Sequence, residues 1–362
     1  MGRKDTDKLK HIAKFWKRKS KDTEEYEIVR EPPKTRESFI LSFVIDEEYQ
    51  KAMQFKEQLI KEYRGVPLRE AIRGSLIKNS KGNCYEITNS ASVGLKIPDR
   101  TSSEIAVLSR LSLVYGIGTV KENRLKQEGY KTIEDLIAHP RWSHGAKELL
   151  DVVKSNNLNS CLAWLQRKLP KSHPLVYGLS SLTSEQDFLI LDIETMGLFG
   201  RPIVLFGLGI PNGNSLEVRQ YLLRKIDDEP GALSQFSSNF DGGRAIISFN
   251  GRAFDMPYIE ERINYYGLNK SFDNPHFDLL HFSRRAWKEK LPNCQLNTIE
   301  HHIGLKRKVD IPSALVPEFY DTYLRTKNVG PLIPIVEHNR QDIVTLASIF
   351  NELGKVWEKY DE

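Results

Sequence analysis

The apolar run Phe188-Leu189-Ile190-Leu191 ends on Asp192-Ile193-Glu194-Thr195, and three more β-rich runs follow at short intervals, over residues 203–210, 216–223 and 245–249. Residues 197–202 and Pro211-Asn212-Gly213-Asn214 separate the first three runs, and an Asn-Gly step is a strong hairpin signal. A helix-compatible stretch over residues 232–240 precedes the fourth run. The order predicts three antiparallel strands, a crossover helix and a fourth strand parallel to the first. Helical patterns follow over residues 256–266 and from about Pro334 to Tyr360. The expectation for residues 185–362 is an α/β domain, with a mixed five-stranded sheet flanked by helices.

Asp192 and Glu194 stand two apart on a strand, so both side chains leave the same face of the sheet. Two ionised acids side by side at the end of an apolar strand repel each other and lose hydration, and a divalent cation compensates directly. A lone Asp-x-Glu also suits an ordinary turn. Asp255 adds weight because Asn250-Gly251 follows the fourth strand run and Asp255 sits near the start of the next helix, at a corner where open sheets present ligands. His338 and Asp342 are four apart, one turn on a single helix face. An imidazole there is placed to orient or deprotonate a water. Hydrolysis of a phosphodiester, an anion with a poor leaving group, is served by two hard cations held by oxygen ligands, so Mg²⁺ or Mn²⁺ is expected.

These segments together resemble the motifs of DEDD-type 3′–5′ exonucleases, the group that includes family B polymerase proofreading domains. From Phe188 to about Leu353 the chain is similar to the YprB-like ribonuclease-H-like family, including Leu296-Asn297-Thr298-Ile299-Glu300 and Asp310-Ile311-Pro312. The resemblance implies a ribonuclease-H-like exonuclease fold. It also implies that Asp192, Glu194 and Asp342 hold one metal ion, that Asp192 and Asp255 hold a second, and that His338 activates water. The spacing departs from the two main subclasses, which have Tyr-x-x-x-Asp or His-x-x-x-x-Asp, since here it is His-x-x-x-Asp.

Upstream, residues 104–155 read as helices with short breaks, a small nucleic-acid-binding module placed over residues 104–168. Gly116-Ile117-Gly118, with Gly129 and residues 132–136 after it, resembles a helix-hairpin-helix module, in which glycines let backbone N–H groups approach a phosphate. Thr132-Ile133-Glu134-Asp135 carries a helix N-cap pattern. Residues 37–103 read as a small α+β segment, with a strand over 39–45, an amphipathic stretch over 47–63 and a strand-like piece near 84–87.

The formal net charge of +5 is a property of residues 1–36, where twelve Lys/Arg meet seven Asp/Glu. That basic segment suits a flexible tail, or an amphipathic helix for a polyanion or membrane surface. A second basic stretch, with Arg284, Arg285, Lys288, Lys290, Lys306, Arg307 and Lys308 against Glu289 and Glu300, suits tracking phosphates or a solvated face. Asn250, Gly116 and Gly118 complete the expected nucleic-acid contacts. Asp278 suits a helix N-cap, His301 and His302 a structural role, and Phe254 and Tyr258 core packing over base stacking.

No apolar run approaches the ~20 residues of a membrane span. Cys84, Cys161 and Cys294 form no Cys-x-x-Cys pair, and no signal-peptide pattern follows Met1, so a reducing cytoplasm fits. The sequence therefore points to a cytoplasmic 3′–5′ exonuclease acting on nucleic acid, DNA in preference to RNA. An RNA-directed or endonucleolytic enzyme of the same fold, and a non-catalytic nucleic-acid-binding protein, remain alternatives.

Overall fold

The computed structural model describes residues 36–198, 200–307 and 311–358, with side chains from Tyr49 onward. The basic tail, apart from its last residue, lies outside the described residues, as do Lys308 and Asp310. The chain divides into two compact units, residues 1–57 and 58–362. In the first, the described part is helical: α1 (Arg36–Glu62) begins there. The strand expected over residues 39–45 is therefore corrected to helix. No Gly or Pro separates that apolar run from the helical pattern after it, and so short a run fits either period.

In the second unit the sheet has seven strands, not five: β1 (Ser75–Asn79), β2 (Gly82–Ala91), β3 (Phe188–Thr195), β4 (Ile203–Asn212), β5 (Ser215–Leu222), β6 (Ala245–Ser248) and β7 (His276–Asp278). Their order is β1-β2-β5-β4-β3-β6-β7. β3, β4 and β5 pair antiparallel, and β6 lies parallel to β3, as the sequence order requires. The hairpin turn at Gly213, φ +60°, brings Asn212 opposite Ser215. The two extra strands at one end come from the β1–β2 hairpin, because β2 pairs along β5 from Tyr85↔Leu222 to Ala91↔Leu216.

The remaining labelled helices of this unit are α2 (Arg100–Leu108), α3 (Thr119–Gln127), α4 (Ser143–Lys154), α5 (Leu158–Leu165), α6 (Glu229–Ser237), α7 (Asp255–Tyr265), α8 (Leu279–Trp287), α9 (Leu296–His302), α10 (Val316–Thr326) and α11 (Leu332–Glu358). α6 packs on one sheet face, where Phe236 meets Phe206 with ring centroids 5.1 Å apart. α11 crosses the other face over β3, β4 and β5, with Phe350 against Phe188 at 6.0 Å. Burying one such side chain contributes roughly 1.5–3 kcal/mol. The apolar cluster on the α11 face continues into the helical region through Tyr177 to Leu111, Ile117, Leu149 and Leu165. Tyr177 donates its hydroxyl proton to the Phe350 carbonyl at 2.8 Å. The expected cap at Thr132 forms reciprocally: Asp135 Oδ2 accepts from Thr132 N–H at 2.8 Å, and Thr132 Oγ1 accepts from Asp135 N–H at 3.3 Å. Only a short 3₁₀ turn follows it, Asp135–Ala138, before Pro140.

Candidate active site

Strand alternation decides what β3 presents. Phe188 and Ile190 belong to the core on the α11 face, so Asp192 and Glu194, in the same phase, emerge on that face as well. α11 comes close because β4 has Gly207 opposite Asp192 and Gly209 opposite Ile190. A Cβ on Gly207 would overlap the Asn339 side chain and lie 2.6 Å from Ile343 Cδ1; one on Gly209 would lie 2.6 Å from Ile343 Cγ2. On α11, His338 and Asp342 are both buried one turn apart.

Asp255 arrives from the corner after β6. Asn250 adopts φ +60°, a conformation Asn tolerates better than most residues. Its N–H donates to Asp278 Oδ1 at 2.8 Å, and Arg252 N–H donates to Asp278 Oδ2 at 3.2 Å. Asp278 also caps α8 at Leu280 N–H, 3.2 Å away, as its sequence position suggests. Gly251 is tight against Ser248, and a Cβ there would stand 3.3 Å from Asp255 Oδ2. The corner therefore delivers a buried carboxylate at the first residue of α7. Tyr258, one turn on, clamps the loop after β3: its hydroxyl bonds the Gly197 and Arg201 carbonyls at 3.0 and 2.9 Å. Its buried ring packs against Phe254, at 5.5 Å between centroids.

The side chains converge. Glu194, His338 and Asp342 each offer one ligand atom, all within 4.8 Å of one another. His338 Nε2 is 3.5 Å from Asp342 Oδ2 and 4.0 Å from Glu194 Oε1. Burial, then the charges of Asp342, Glu194 and Asp255, push the Asp192 carboxyl well above the usual carboxylate range, against the lowering effect of a hydrogen bond from Asn339. Glu194 is raised by burial, then by Asp342 and Asp255, and Arg307 opposes the rise. Asp192 and Glu194 thus both lie in the field of Asp342 and Asp255.

Several participants carry no sequence motif. Asn339 is fully buried and donates Nδ2–H to Asp192 Oδ2 at 2.7 Å and to the Asp192 carbonyl at 3.1 Å. Its own Oδ1 accepts from Gln220 Nε2 at 2.8 Å, and Gln220 also donates to the Val336 carbonyl at 2.8 Å. An amide relay from β5 through α11 thereby holds the β3 carboxylate. Arg307 does not stand out on an exposed basic face. Its half-buried guanidinium donates to Glu300 at 2.6 Å and to Asp342 Oδ1 at 2.5 Å. Glu300 in turn accepts from Thr345 Oγ1 at 2.6 Å. Arg307 Nη1 lies 3.1 Å from His338 Nδ1, and since guanidinium only donates, Nδ1 accepts and the ring proton sits on Nε2. Ser313 Oγ stands 3.0 Å from that Nε2.

Other expected contacts lie elsewhere. Arg285 and Lys306 are exposed and Arg284 is half-buried, with Arg285 Nε donating to Ser172 Oγ at 3.2 Å. Gly116 is half-buried with φ +83°, and Gly118 is exposed as the N-cap of α3. His302 packs edge-on against Trp287 at 5.7 Å.

The donor chemistry fits a hard divalent cation: two buried carboxylates crowd one imidazole, and burial followed by neighbouring like charges raises the Asp192 and Glu194 carboxyls. A sign follows for stability without metal. A carboxyl with a raised folded pKa binds more protons than the unfolded chain, so stability falls as pH climbs from the unfolded value through the folded one. Asp192→Asn and Glu194→Gln should each raise the melting temperature of metal-stripped protein at pH 8, by roughly 1–2 kcal/mol of stability. Thermal melts across pH 5–8 check this, and an unchanged or lower melting temperature would count against the crowding.

A sheet of this topology, with acids from β3, a strand-helix corner and a terminal helix, defines the ribonuclease-H-like class. Residues 189–354 match the model of the RNase_H superfamily. The chain is 31% identical over 178 residues to the protein YprB of Bacillus subtilis, covering 48% of this chain and 43% of that one. It is 25% identical over 207 residues to a DNA polymerase III PolC-type of Mycoplasma pneumoniae, covering 50% of this chain and 14% of that one. The similarity thus spans less than half the length of each relative. Residues 189–354 thus carry a ribonuclease-H-like domain, and about half of the chain is similar to YprB. Among the described residues, no helix is long and apolar enough to cross a membrane.

Proposed function

We propose that this domain is a metal-dependent nuclease, a 3′–5′ exonuclease acting on single-stranded or frayed DNA with two Mg²⁺ or Mn²⁺ ions. The observation that carries the reading is the convergence of acids from three separate elements on one place, where Asp342 and Asp255 both repel Asp192 and Glu194. A degenerate, binding-only fold would have no reason to keep that repulsion. Asp192, Glu194 and Asp342 would hold one ion, and Asp192 with Asp255 the other. When bound, such ions lower the pKa of water and neutralise charge on the leaving oxygen.

The chain's own groups divide the remaining work. Asn339 fixes one oxygen of Asp192 and so keeps its direction constant. His338 accepts the proton of the attacking water at Nε2 once Arg307 releases Nδ1 and the ring proton moves there. Asn250, Gly116, Gly118, Arg284, Arg285 and Lys306 would contact the nucleic acid, and Arg307 would reach a phosphate after withdrawing from Asp342. Similarity to a DNA polymerase supports DNA over RNA.

His338→Ala should lower the hydrolysis rate by about 10²–10⁴-fold, the usual worth of a positioned acid–base group. Mn²⁺ binding, read by calorimetry, should persist. A full rate in His338→Ala removes the imidazole from the reaction. Labelled DNA and RNA of one sequence, with free and blocked 3′ ends, test polarity and sugar preference. Cleavage that ignores a blocked 3′ end would identify an endonuclease instead.

A further inference from the structure

At the edge of the helical region two apolar side chains stand in water. Tyr115 is 86% exposed and Val120 is 83% exposed, the highest values among the exposed large hydrophobic residues of the described chain. They flank the turn Gly116-Ile117-Gly118, whose Ile117 is buried in the core. The turn thus anchors one apolar side chain and leaves two outside. Trp142, half-buried, lies beneath it: a Cβ on Gly116 would be 3.0 Å from the indole.

Cations surround these rings. Lys168 Nζ is 5.2 Å from the Tyr115 ring centroid, and Lys121 Nζ and Arg141 Cζ are 5.4 and 4.7 Å from that of Trp142. Lys121 also donates to the Gly116 carbonyl at 2.8 Å, which holds it over the turn. Glu122, the acid in the first turn of α3, faces inward: it accepts from Leu111 N–H at 2.9 Å and pairs with Lys126 at 3.4 Å. No acid of that turn opposes the cations.

Exposed aromatic surface among fixed positive charges complements a polyanion whose monomers carry planar faces. Single-stranded nucleic acid has that chemistry, whereas a duplex keeps its base faces stacked inside. Two apolar tips are too few for a membrane-inserting face. We infer that Tyr115, Val120 and Trp142, with Lys121, Arg141 and Lys168, form a docking surface for a single strand. A base stacks on Tyr115 while the cations take the neighbouring phosphates. This deepens the nuclease reading and rests on it for its purpose, since it would deliver an unpaired strand.

The test uses the full chain carrying Asp192→Asn, without divalent metal, so that bound strand stays intact. Fluorescence anisotropy is read with a labelled oligothymidylate of about 15 nucleotides, within the range of known single-strand sites. Tyr115→Ala should weaken binding by about 5- to 100-fold, the range expected for one stacked base, and Tyr115→Trp should restore it. Lys121→Ala and Lys168→Ala should each make binding less salt-dependent. The inference is overturned if the parent fails to bind, if Tyr115→Ala binds within twofold of it, if blunt duplex is weakened equally, or if the same surface binds anionic vesicles instead. Metal-dependent digestion by the chain with Asp192 intact is scored separately. Its absence would remove the nuclease reading and leave the binding result standing.

Discussion

Asp192→Ala is expected to slow Mn²⁺-dependent DNA hydrolysis by at least about 10³-fold, with the fold intact. The magnitude follows from losing several kcal/mol of charge stabilisation in the transition state, each 1.4 kcal/mol being a factor of ten. Asp192 is the acid proposed to serve both ions, so no neighbour substitutes for it. The fold should survive because Asn339 still reaches the Asp192 backbone carbonyl, and because removing one of four crowded acids relieves repulsion. Kinetics with parallel thermal melts check both parts. A variant that unfolds would show that the carboxylate is structural, and one that keeps its rate would show that it is idle.

Gly207→Val is expected to damage stability and activity together. A Cβ at this position overlaps the Asn339 side chain and presses on Ile343, both fixed on a helix that crosses three strands. Overpacking of this kind costs about 1–3 kcal/mol, and the valine methyls add more. The melting temperature should fall by roughly 5–10 °C for a chain of this size. The displaced helix would carry His338, Asn339 and Asp342 away from β3, so metal affinity should fall even at temperatures where the protein stays folded. Calorimetric Mn²⁺ titration separates the two effects. An unchanged affinity in a destabilised protein would show that α11 does not set the site.

What was legible in the sequence was local or periodic. The β3–β6 order followed from apolar runs and turn residues, and spacing placed Asp192 and Glu194 on one strand face, Asp255 at a strand-helix corner and His338 with Asp342 on one helix face. The β1–β2 hairpin was missed as part of the main sheet because its partner, β5, is more than a hundred residues away and edge pairing leaves no local pattern. Residues 39–45 were misread because an apolar run that short fits strand and helix alike. Asn339 left a weak trace: it interrupts the buried stripe Val336, Ile343, Ala347 and Phe350 on α11, and a polar residue in such a stripe needs a partner. Gln220 left a similar trace between Val218 and Leu222 on β5. Arg307 was grouped with exposed basic residues because charge composition does not reveal which cation turns inward.

The most direct measurement is digestion of 5′-labelled single-stranded DNA by the wild-type chain and Asp192→Ala, in Mg²⁺, Mn²⁺ and EDTA. A metal-dependent ladder shortening from the 3′ end with the wild type, absent with Asp192→Ala and in EDTA, is the expected result. Cleavage that persists in EDTA or in Asp192→Ala, or intact DNA under every condition, would contradict a metal-dependent nuclease built on these four acids.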